Sequence, residues 1–266
     1  MGHGGVRRVL AVAANTFRET VRERVLYNLL VFAGLMTVSG LVLGELSIRQ
    51  DTKIVKDLGL ATMELFGTAI ALFIGVGLVA KEIERRSLYP LLAKPLGRIE
   101  FLIGKFLGLS FTLLVNVCVM AAVLYLTLFM TAIKYESRSL APDPLLLQAV
   151  FAIYLGLLLV VATAMLFSTL TSSALAAVCA VAVVVVGRFA DVIRNMQEVV
   201  PGAPAWLTQV LYYALPNFAN FDLKARVAHG NAVGAGDLAL LAVYACAYCG
   251  LLLGLASISF RRRDLQ

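Results

Sequence analysis

The sequence predicts an all-α membrane protein, with six transmembrane helices preceded by an N-terminal amphipathic helix. Hydrophobic residues make up 61% of the 266 residues, charged residues only 15%, and the mean hydropathy is +0.89. A water-soluble fold of this composition would lack polar residues to cover its surface. The charges gather between apolar runs, each close to the roughly 20 residues that a membrane-spanning helix needs. We therefore expect a single membrane domain over residues 1–266.

The first 24 residues are predicted to form an interfacial helix. Apolar residues recur there at helical spacing, namely Val6, Leu10, Ala13, Phe17 and Val21. Polar residues fall on the opposite side, namely Arg7, Asn15, Arg18 and Arg22. A helix of this kind lies in the headgroup layer, with its apolar side against the acyl chains. A solvated cap on the helix bundle is the alternative. The arginines interrupt any apolar region, which argues against a cleaved signal peptide.

The six spans are predicted at about 25–44, 61–80, 101–133, 145–170, 174–190 and 238–260. The third is long enough to tilt or to project beyond the hydrocarbon layer. Only Thr171, Ser172 and Ser173 separate the fourth span from the fifth, so these two are expected to form a helical hairpin.

A long connection separates the fifth span from the sixth. Residues 191–237 contain several aromatic residues and prolines, namely Trp206, Tyr212, Tyr213, Phe218, Phe221, Pro201, Pro204 and Pro216. Trp and Tyr favour the headgroup layer, and non-helical backbone at membrane depth must be shielded by protein. We expect a short helical or re-entrant segment in the outer leaflet.

The basic residues predict the orientation of the bundle. Fourteen of the 23 Lys and Arg residues, but only six of the 16 acidic residues, fall on the side that carries both termini. Positive residues concentrate in cytoplasmic loops. Both termini are therefore expected in the cytoplasm, with the chain in the inner membrane of a prokaryote.

The connection between the second and third spans carries the strongest functional signal. Residues 81–105 read KEIERRSLYPLLAKPLGRIEFLIGK. This stretch resembles the corresponding loop of ABC-2 type transporter permeases, a group that includes the nitrous-oxide-reductase maturation permease and sodium- and drug-efflux relatives. The matching residues are Glu82, Glu84, Leu88, Leu91, Leu92, Lys94, Pro95, Arg98, Gly104 and Lys105. Arg86 stands where the family usually has Gly, and Pro90 interrupts what is usually a short helix.

Two further stretches look like the same family, in the expected order. FSTLTSSALAA, residues 167–177, resembles its hairpin between spans four and five, and LYYALPNFANFDL, residues 211–223, resembles its outer segment before the last span. The resemblance therefore covers the whole chain.

The resemblance implies a transporter driven by a separate ATPase. The coupling residues would be Glu82, Glu84, Arg85, Arg86, Leu88, Leu91, Leu92, Lys94, Pro95 and Arg98. It further implies two copies of an ATP-binding subunit that hold ATP and Mg, a second permease as homodimer or heterodimer partner, and export as the direction. The alternative is that residues 81–105 form a charged cytoplasmic loop with no docking role, whose Lys and Arg content follows from the positive-inside rule alone. The chain itself contains no G-x-x-x-x-G-K-[ST] phosphate loop, so we expect it not to be an enzyme and to hold no cofactor.

Polar residues inside the predicted spans are the candidate pathway residues. Glu64 is the acidic residue well inside an apolar run, and with Asp57 it could line an outer vestibule; solvation near the headgroups is the alternative. Asn116 suits either an interhelical hydrogen bond or the pathway. Arg188 and Asp191 are predicted to form an exposed pair. The Ala- and Val-rich fifth span suits either a dimer contact or lipid.

Other functional classes find little support in the residues. The cysteines lie inside apolar runs, which predicts no structural disulfide, and His3 and His229 are too few and too scattered for a metal site. No G-x-S-x-G or H-E-x-x-H motif indicates an intramembrane enzyme. A secondary transporter or a membrane scaffold subunit remains the alternative function.

Overall fold

A computed structural model of the protein describes residues 3–22, 31–32, 34–35, 51–84, 97–134, 143–194, 212, 215–228 and 230–262. Within these ranges the regular elements are all helices, and no strand occurs. The all-α prediction is therefore confirmed for this part of the chain. The predicted first span falls mostly outside the described residues; only 31–32 and 34–35 are described, and they are helical.

The described helices are α1 (His3–Arg22), α2 (Asp51–Glu84), α3 (Arg98–Lys134), α4 (Pro144–Leu170), α5 (Ser173–Arg188), α6 (Ala190–Arg194), α7 (Lys224–Ala228) and α8 (Ala235–Arg262). A short 3-10 turn, Ala219–Phe221, precedes α7. Four helices, α2, α3, α4 and α8, are long and apolar enough to cross a membrane, whereas α5 is a shorter apolar helix of 16 residues. The protein is thus a multi-pass membrane protein.

Helices α2, α4 and α8 begin at one end of the bundle and α3 begins at the other, so each end can be named. We call the end with Asp51, Pro144 and Ala235 the predicted outer end, and the end with Glu84 and Arg262 the predicted inner end. Helix α2 extends past the predicted second span in both directions to 34 residues, which is about 51 Å. It therefore exceeds the roughly 30 Å of the hydrocarbon layer.

Local sequence explains the ends of α4 and the hairpin that follows it. The Asp143 carboxylate accepts a hydrogen bond from the Leu145 N–H at 3.0 Å, and Pro144 occupies the first turn, where its missing N–H costs nothing. At the inner end Thr171 caps α4 and Ser172 precedes α5. The predicted hairpin is confirmed, although α5 ends at Arg188 and Phe189 separates it from α6.

Helix α4 lies at the centre of the bundle and packs closely on α2. A Cβ atom added at Gly67 would lie 2.7 Å from Leu157 Cδ1, and one added at Gly75 would lie 2.7 Å from Ala164 Cβ. Small residues at such positions let helix backbones approach, which is how helices associate in lipid. This contact fixes the middle of α2 beside the middle of α4.

Helix α1 packs against the inner part of α3. Cβ atoms added at Gly104 and Gly108 would lie 2.9 Å from Val9 O and 2.6 Å from Ala13 O. The side that faces α3 includes the buried Thr16, while Val6 and Leu10 of the predicted apolar side are 51% and 59% exposed. Val6 and Leu10 are thus left free for another environment, whereas Phe17 of the same predicted side packs on Phe111 of α3.

Candidate functional site within the membrane

Glu64 lies at the middle of the membrane-spanning part of α2, in contact with two cations. Its Oε1 is 2.8 Å from Arg188 Nη1, and its Oε2 accepts a short hydrogen bond from Lys224 Nζ. The Glu64 and Lys224 side chains are only 17% and 16% exposed. The carboxylate is therefore mostly buried and is held by ion pairs within the bundle.

Arg188 has long-range partners on α2. Its guanidinium reaches across to α2, where Nη2 donates to Thr68 Oγ1 at 3.1 Å in addition to the Glu64 contact. The exposed pair with Asp191 stays a prediction, because the Asp191 side chain lies outside the described part of the chain. A planar guanidinium presents several donors in a fixed fork, so one Arg can hold a carboxylate and a hydroxyl together. The three-residue spacing of Arg188 and Asp191 in the sequence gives no indication of this long-range contact.

We call Glu64, Arg188 and Lys224 the Glu64 cluster. The lengths of the helices place it at membrane depth. Arg188 ends a helix of 16 residues that starts at the inner hairpin, and such a helix is about 24 Å long, less than the hydrocarbon thickness. Gly156, which lines the same cleft as Glu64, is close to the middle of α4. Both observations put the ion pairs within the hydrocarbon layer, where ionisable residues mark functional sites by default.

The segment 215–234, which we call the outer segment, brings Lys224 to this depth. Phe218 and Phe221 are buried in the bundle. A Cβ added at Gly187 would lie 2.4 Å from Pro216 O and 2.6 Å from Phe218 Cδ2, and the Phe218 N–H donates to Gly187 O at 3.0 Å. The predicted re-entrant character of this region agrees with this buried position.

Two more hydrogen bonds attach the outer segment to the long helices. The Asn217 N–H donates to the Tyr244 hydroxyl of α8 at 2.9 Å, and the Val233 N–H donates to Gln148 Oε1 of α4 at 3.0 Å. Backbone groups at membrane depth need partners because no water is there to satisfy them. The outer segment is therefore shielded in the way that a non-helical chain in a membrane requires.

The cleft around the ion pairs is closed. It is lined by Glu64, Thr68, Ile153, Gly156, Leu157, Val160, Arg188, Phe218 and Phe221. Its volume is about 10 Å³, which is room for about one water molecule. A pathway through this point would need the outer segment or α2 to move.

A second ion pair lies near the outer end of the bundle. Lys56 Nζ of α2 is 2.6 Å from Asp143 Oδ2, and the Tyr125 hydroxyl donates to the Asp143 carbonyl oxygen at 2.9 Å. Burial by itself raises the pKa of Asp143, but the hydrogen bonds from Lys56 and the Leu145 N–H, with the charge of Lys56, outweigh it and lower the pKa. Asp143 thus joins α2 and α4 through its carboxylate and α3 through its carbonyl oxygen. Asp57, the predicted companion of Glu64, is exposed.

Asn116 is buried within α3. Its Nδ2 donates to the Thr112 carbonyl oxygen of the same helix at 2.8 Å, and its Oδ1 finds no hydrogen-bond partner among the described residues. Within the described part of the chain the expected interhelical bond is therefore not formed. The proposed place of Asn116 in a pathway stays a prediction.

Three of the predicted coupling residues have a described backbone, and these lie at the predicted inner end. Glu82 and Glu84 end α2 and Arg98 begins α3, by their backbone positions. The others lie outside the described residues, namely Arg85, Arg86, Leu88, Leu91, Leu92, Lys94 and Pro95. Lys105 is buried, with its ammonium 5.2 Å from the centre of the Phe101 ring. Among the described residues no group of His, Cys, Asp and Glu is arranged to hold a metal ion.

Comparison with known proteins agrees with the membrane architecture. The family model described as "ABC-2 family transporter protein" matches residues 10–265. A comparison with curated proteins finds no match. Since the family model covers nearly the whole sequence, including most of α1, all of α2 to α8 and the outer segment, the chain belongs to the ABC-2 transporter family and is a permease component of an ABC transporter.

Proposed function

We propose that this permease is the membrane subunit of an exporter driven by a separate ATPase, which binds the loop 81–105. The observation that carries the proposal is the family match over residues 10–265 together with the ion-paired cluster at membrane depth. The sequence contains no phosphate loop, so in this proposal the ATP is hydrolysed by a partner subunit. ATP and Mg would be bound by that partner, and this chain would hold no cofactor and catalyse no reaction.

Helix α2 connects the loop 81–105 to the Glu64 cluster, so it can transmit a movement from one to the other. Glu82 and Glu84 stand in the last turn of α2, and Glu64 lies on the same continuous helix about 27 Å away at 1.5 Å per residue. A push at the inner end would therefore move Glu64 relative to Arg188 and Lys224, which belong to other elements. We propose that separation of these ion pairs releases the outer segment and opens the closed cleft.

The assembly would consist of two permease subunits and two ATPases in the inner membrane of a prokaryote, with both termini cytoplasmic. Helix α1 would then lie in the inner headgroup layer, since Val6 and Leu10 are exposed on one side and Arg7 and Arg18 on another. An amphipathic helix with this division of residues inserts its apolar side among acyl chains. Homodimer and heterodimer are both compatible with a single permease sequence.

A secondary transporter is the second candidate, because paired charges at membrane depth also occur in proteins that couple transport to ions. The two functions differ in what drives transport. A secondary transporter would work as the purified permease alone, whereas the proposed exporter needs its ATPase. A scaffold subunit would transport nothing, either alone or together with an ATPase.

The test is a charge reversal of Glu82 and Glu84 to Lys in the complex with its ATPase. We expect the variant to insert normally and to lose the ATPase activity that the permease stimulates, because basic residues would repel the docking surface. Asp57→Lys, an exposed carboxylate at the other end of α2, is the matched control and should retain stimulation. Full stimulation in the Glu82 and Glu84 variant would reject the coupling role.

A further inference from the structure

A cavity of about 320 Å³ lies at the predicted outer end of α8, apart from the Glu64 cluster. Its walls come from the outer segment, which contributes Leu223, Arg226 and Val233, and from the first turns of α8, which contribute Asp237 and Tyr244. The volume is at the lower end of the range for small-molecule sites. This cavity could hold a headgroup but not an entire lipid.

The cavity is polar at one end and apolar at the other. Arg226 and Asp237 are exposed, while Leu223 and Val233 are buried in its floor. From Asp237 to Tyr244 the cavity extends over seven residues of α8, which is about 10 Å along the helix axis. That depth matches the boundary between headgroups and acyl chains.

The two charged residues remain available for a ligand. Among the described residues, neither the Arg226 guanidinium nor the Asp237 carboxylate forms an ion pair, with each other or with a third group. A guanidinium binds phosphate in a bidentate way, and an ionised carboxylate only accepts hydrogen bonds. The same cavity is therefore lined by one group suited to a phosphate and one suited to an ammonium.

The surrounding surface is suited to acyl chains. Leu240, which also lines the cavity, is 69% exposed, and Val243 follows it on the exposed side of α8 at 65%. A chain that left the cavity toward the inner end would run along this apolar surface. A sugar or a polar peptide would gain nothing there.

We infer that this cavity binds the headgroup of a zwitterionic phospholipid that carries a primary ammonium, of the phosphatidylethanolamine class. Arg226 contacts the phosphate, Asp237 accepts hydrogen bonds from the ammonium, and the acyl chains lie along Leu240 and Val243. A choline headgroup has no N–H to donate to Asp237, and a purely anionic headgroup would be repelled by it.

The experiment measures lipid retention by native mass spectrometry of the full-length permease after reconstitution with dioleoyl phosphatidylethanolamine, phosphatidylcholine and phosphatidylglycerol in equal amounts. We expect selective retention of phosphatidylethanolamine. Arg226→Gln and Asp237→Asn should each weaken it about tenfold, the usual effect of losing one hydrogen bond to a charged group. Lys53→Gln and Asp57→Asn, exposed charges at the same end of the bundle, are the matched controls and should bind like the wild type.

Equal retention of the three lipids, or wild-type retention by both cavity variants, would overturn the inference. Preference for phosphatidylglycerol, lowered by Arg226→Gln and raised by Asp237→Asn, would also overturn it in favour of an anionic lipid. The readout needs no ATPase, so its outcome is separate from that of the coupling experiment.

Discussion

Arg188, the last residue of α5, forms an ion pair with Glu64 of α2 at 2.8 Å, and the two residues are far apart in sequence. Lys224 from the outer segment takes the other carboxylate oxygen. A single carboxylate thus joins a hairpin helix, a long spanning helix and a re-entrant segment. Removal of a buried charge that pairs with others leaves its partners uncompensated, so this contact should dominate the response to mutation.

Neutralising Glu64 should destabilise the permease. The Glu64→Gln variant keeps the size of the side chain but removes the counter-charge that Arg188 and Lys224 share, and leaves Lys224 only the exposed Asp222 carboxylate at 3.6 Å, at a cost of about 3 kcal/mol. The melting temperature in detergent should fall by several degrees. Asp57→Asn, which neutralises an exposed carboxylate of the same helix, should change it little. Equal melting of the two variants would contradict the buried ion pair.

The losses of stability caused by the Glu64 and Lys224 substitutions should not be additive. Lys224→Met removes the cation and leaves Glu64 paired with Arg188, whereas Glu64→Gln with Lys224→Met removes both partners of the short contact. We expect the double variant to be more stable than the sum of the single changes by about 1 kcal/mol or more, measured as a double-mutant cycle of thermal unfolding. Strict additivity would mean that the two residues do not interact.

A side chain at Gly187 should displace the outer segment. An added methyl would approach Pro216 O at 2.4 Å, so Gly187→Ala should cost about 1–3 kcal/mol through overpacking. We expect a lower melting temperature and faster proteolysis within 215–234. Gly250→Ala is the control, since a Cβ there meets nothing within 4 Å. If the two alanine variants behave alike, the close contact at Gly187 does not exist.

A larger side chain at Gly108 should detach α1. The site lies against Ala13 O at 2.6 Å and Thr16 Cβ at 2.7 Å, so Gly108→Val leaves no room for α1. Phe17 and Phe111, whose ring centres are 4.9 Å apart, lie across this contact. Cysteines placed at these two positions should be joined by a short thiol-reactive cross-linker in the parent and more slowly in the Gly108→Val background. Undiminished cross-linking would show that α1 stays in place and would contradict the close contact at Gly108.

Acid should weaken the contact at Asp143. Its pKa is lowered in the folded protein, chiefly because the Lys56 and Leu145 hydrogen bonds outweigh the effect of burial. A lowered pKa means that the stabilisation is present above the ordinary aspartate pKa of about 3.9 and is lost as the pH falls through the folded value. Asp143→Asn keeps the helix cap and loses the charge. It should melt below the wild type at neutral pH, and this difference should shrink below about pH 4.

Much of the architecture follows from the sequence, because each span in lipid must satisfy its own backbone hydrogen bonds. The apolar runs predict α3 and α4 to within a few residues, since a run that long can satisfy its backbone only as a helix. The hairpin at Thr171 and Ser172 is predicted equally well. The ordered motifs predict the family, which the match over residues 10–265 confirms.

The site was only partly predictable. Glu64 stood out as a charge in an apolar run, but its partners Arg188 and Lys224 lie in separate elements. Neither has a local pattern that points to Glu64. The roles of Gly104 and Gly108 in seating α1 were missed, although their four-residue spacing on a helix is a signal for close packing.

By itself the sequence determined that the protein lies in a membrane, which segments form long apolar helices and to which family the chain belongs. Hydropathy and short motifs depend only on residues that are close together along the chain. Only the tertiary structure decided that Glu64 is neutralised by two cations at membrane depth and that the outer segment closes the cleft above it. The physical reason is that the energy of a charge in a membrane depends on which distant groups come within hydrogen-bonding reach of it.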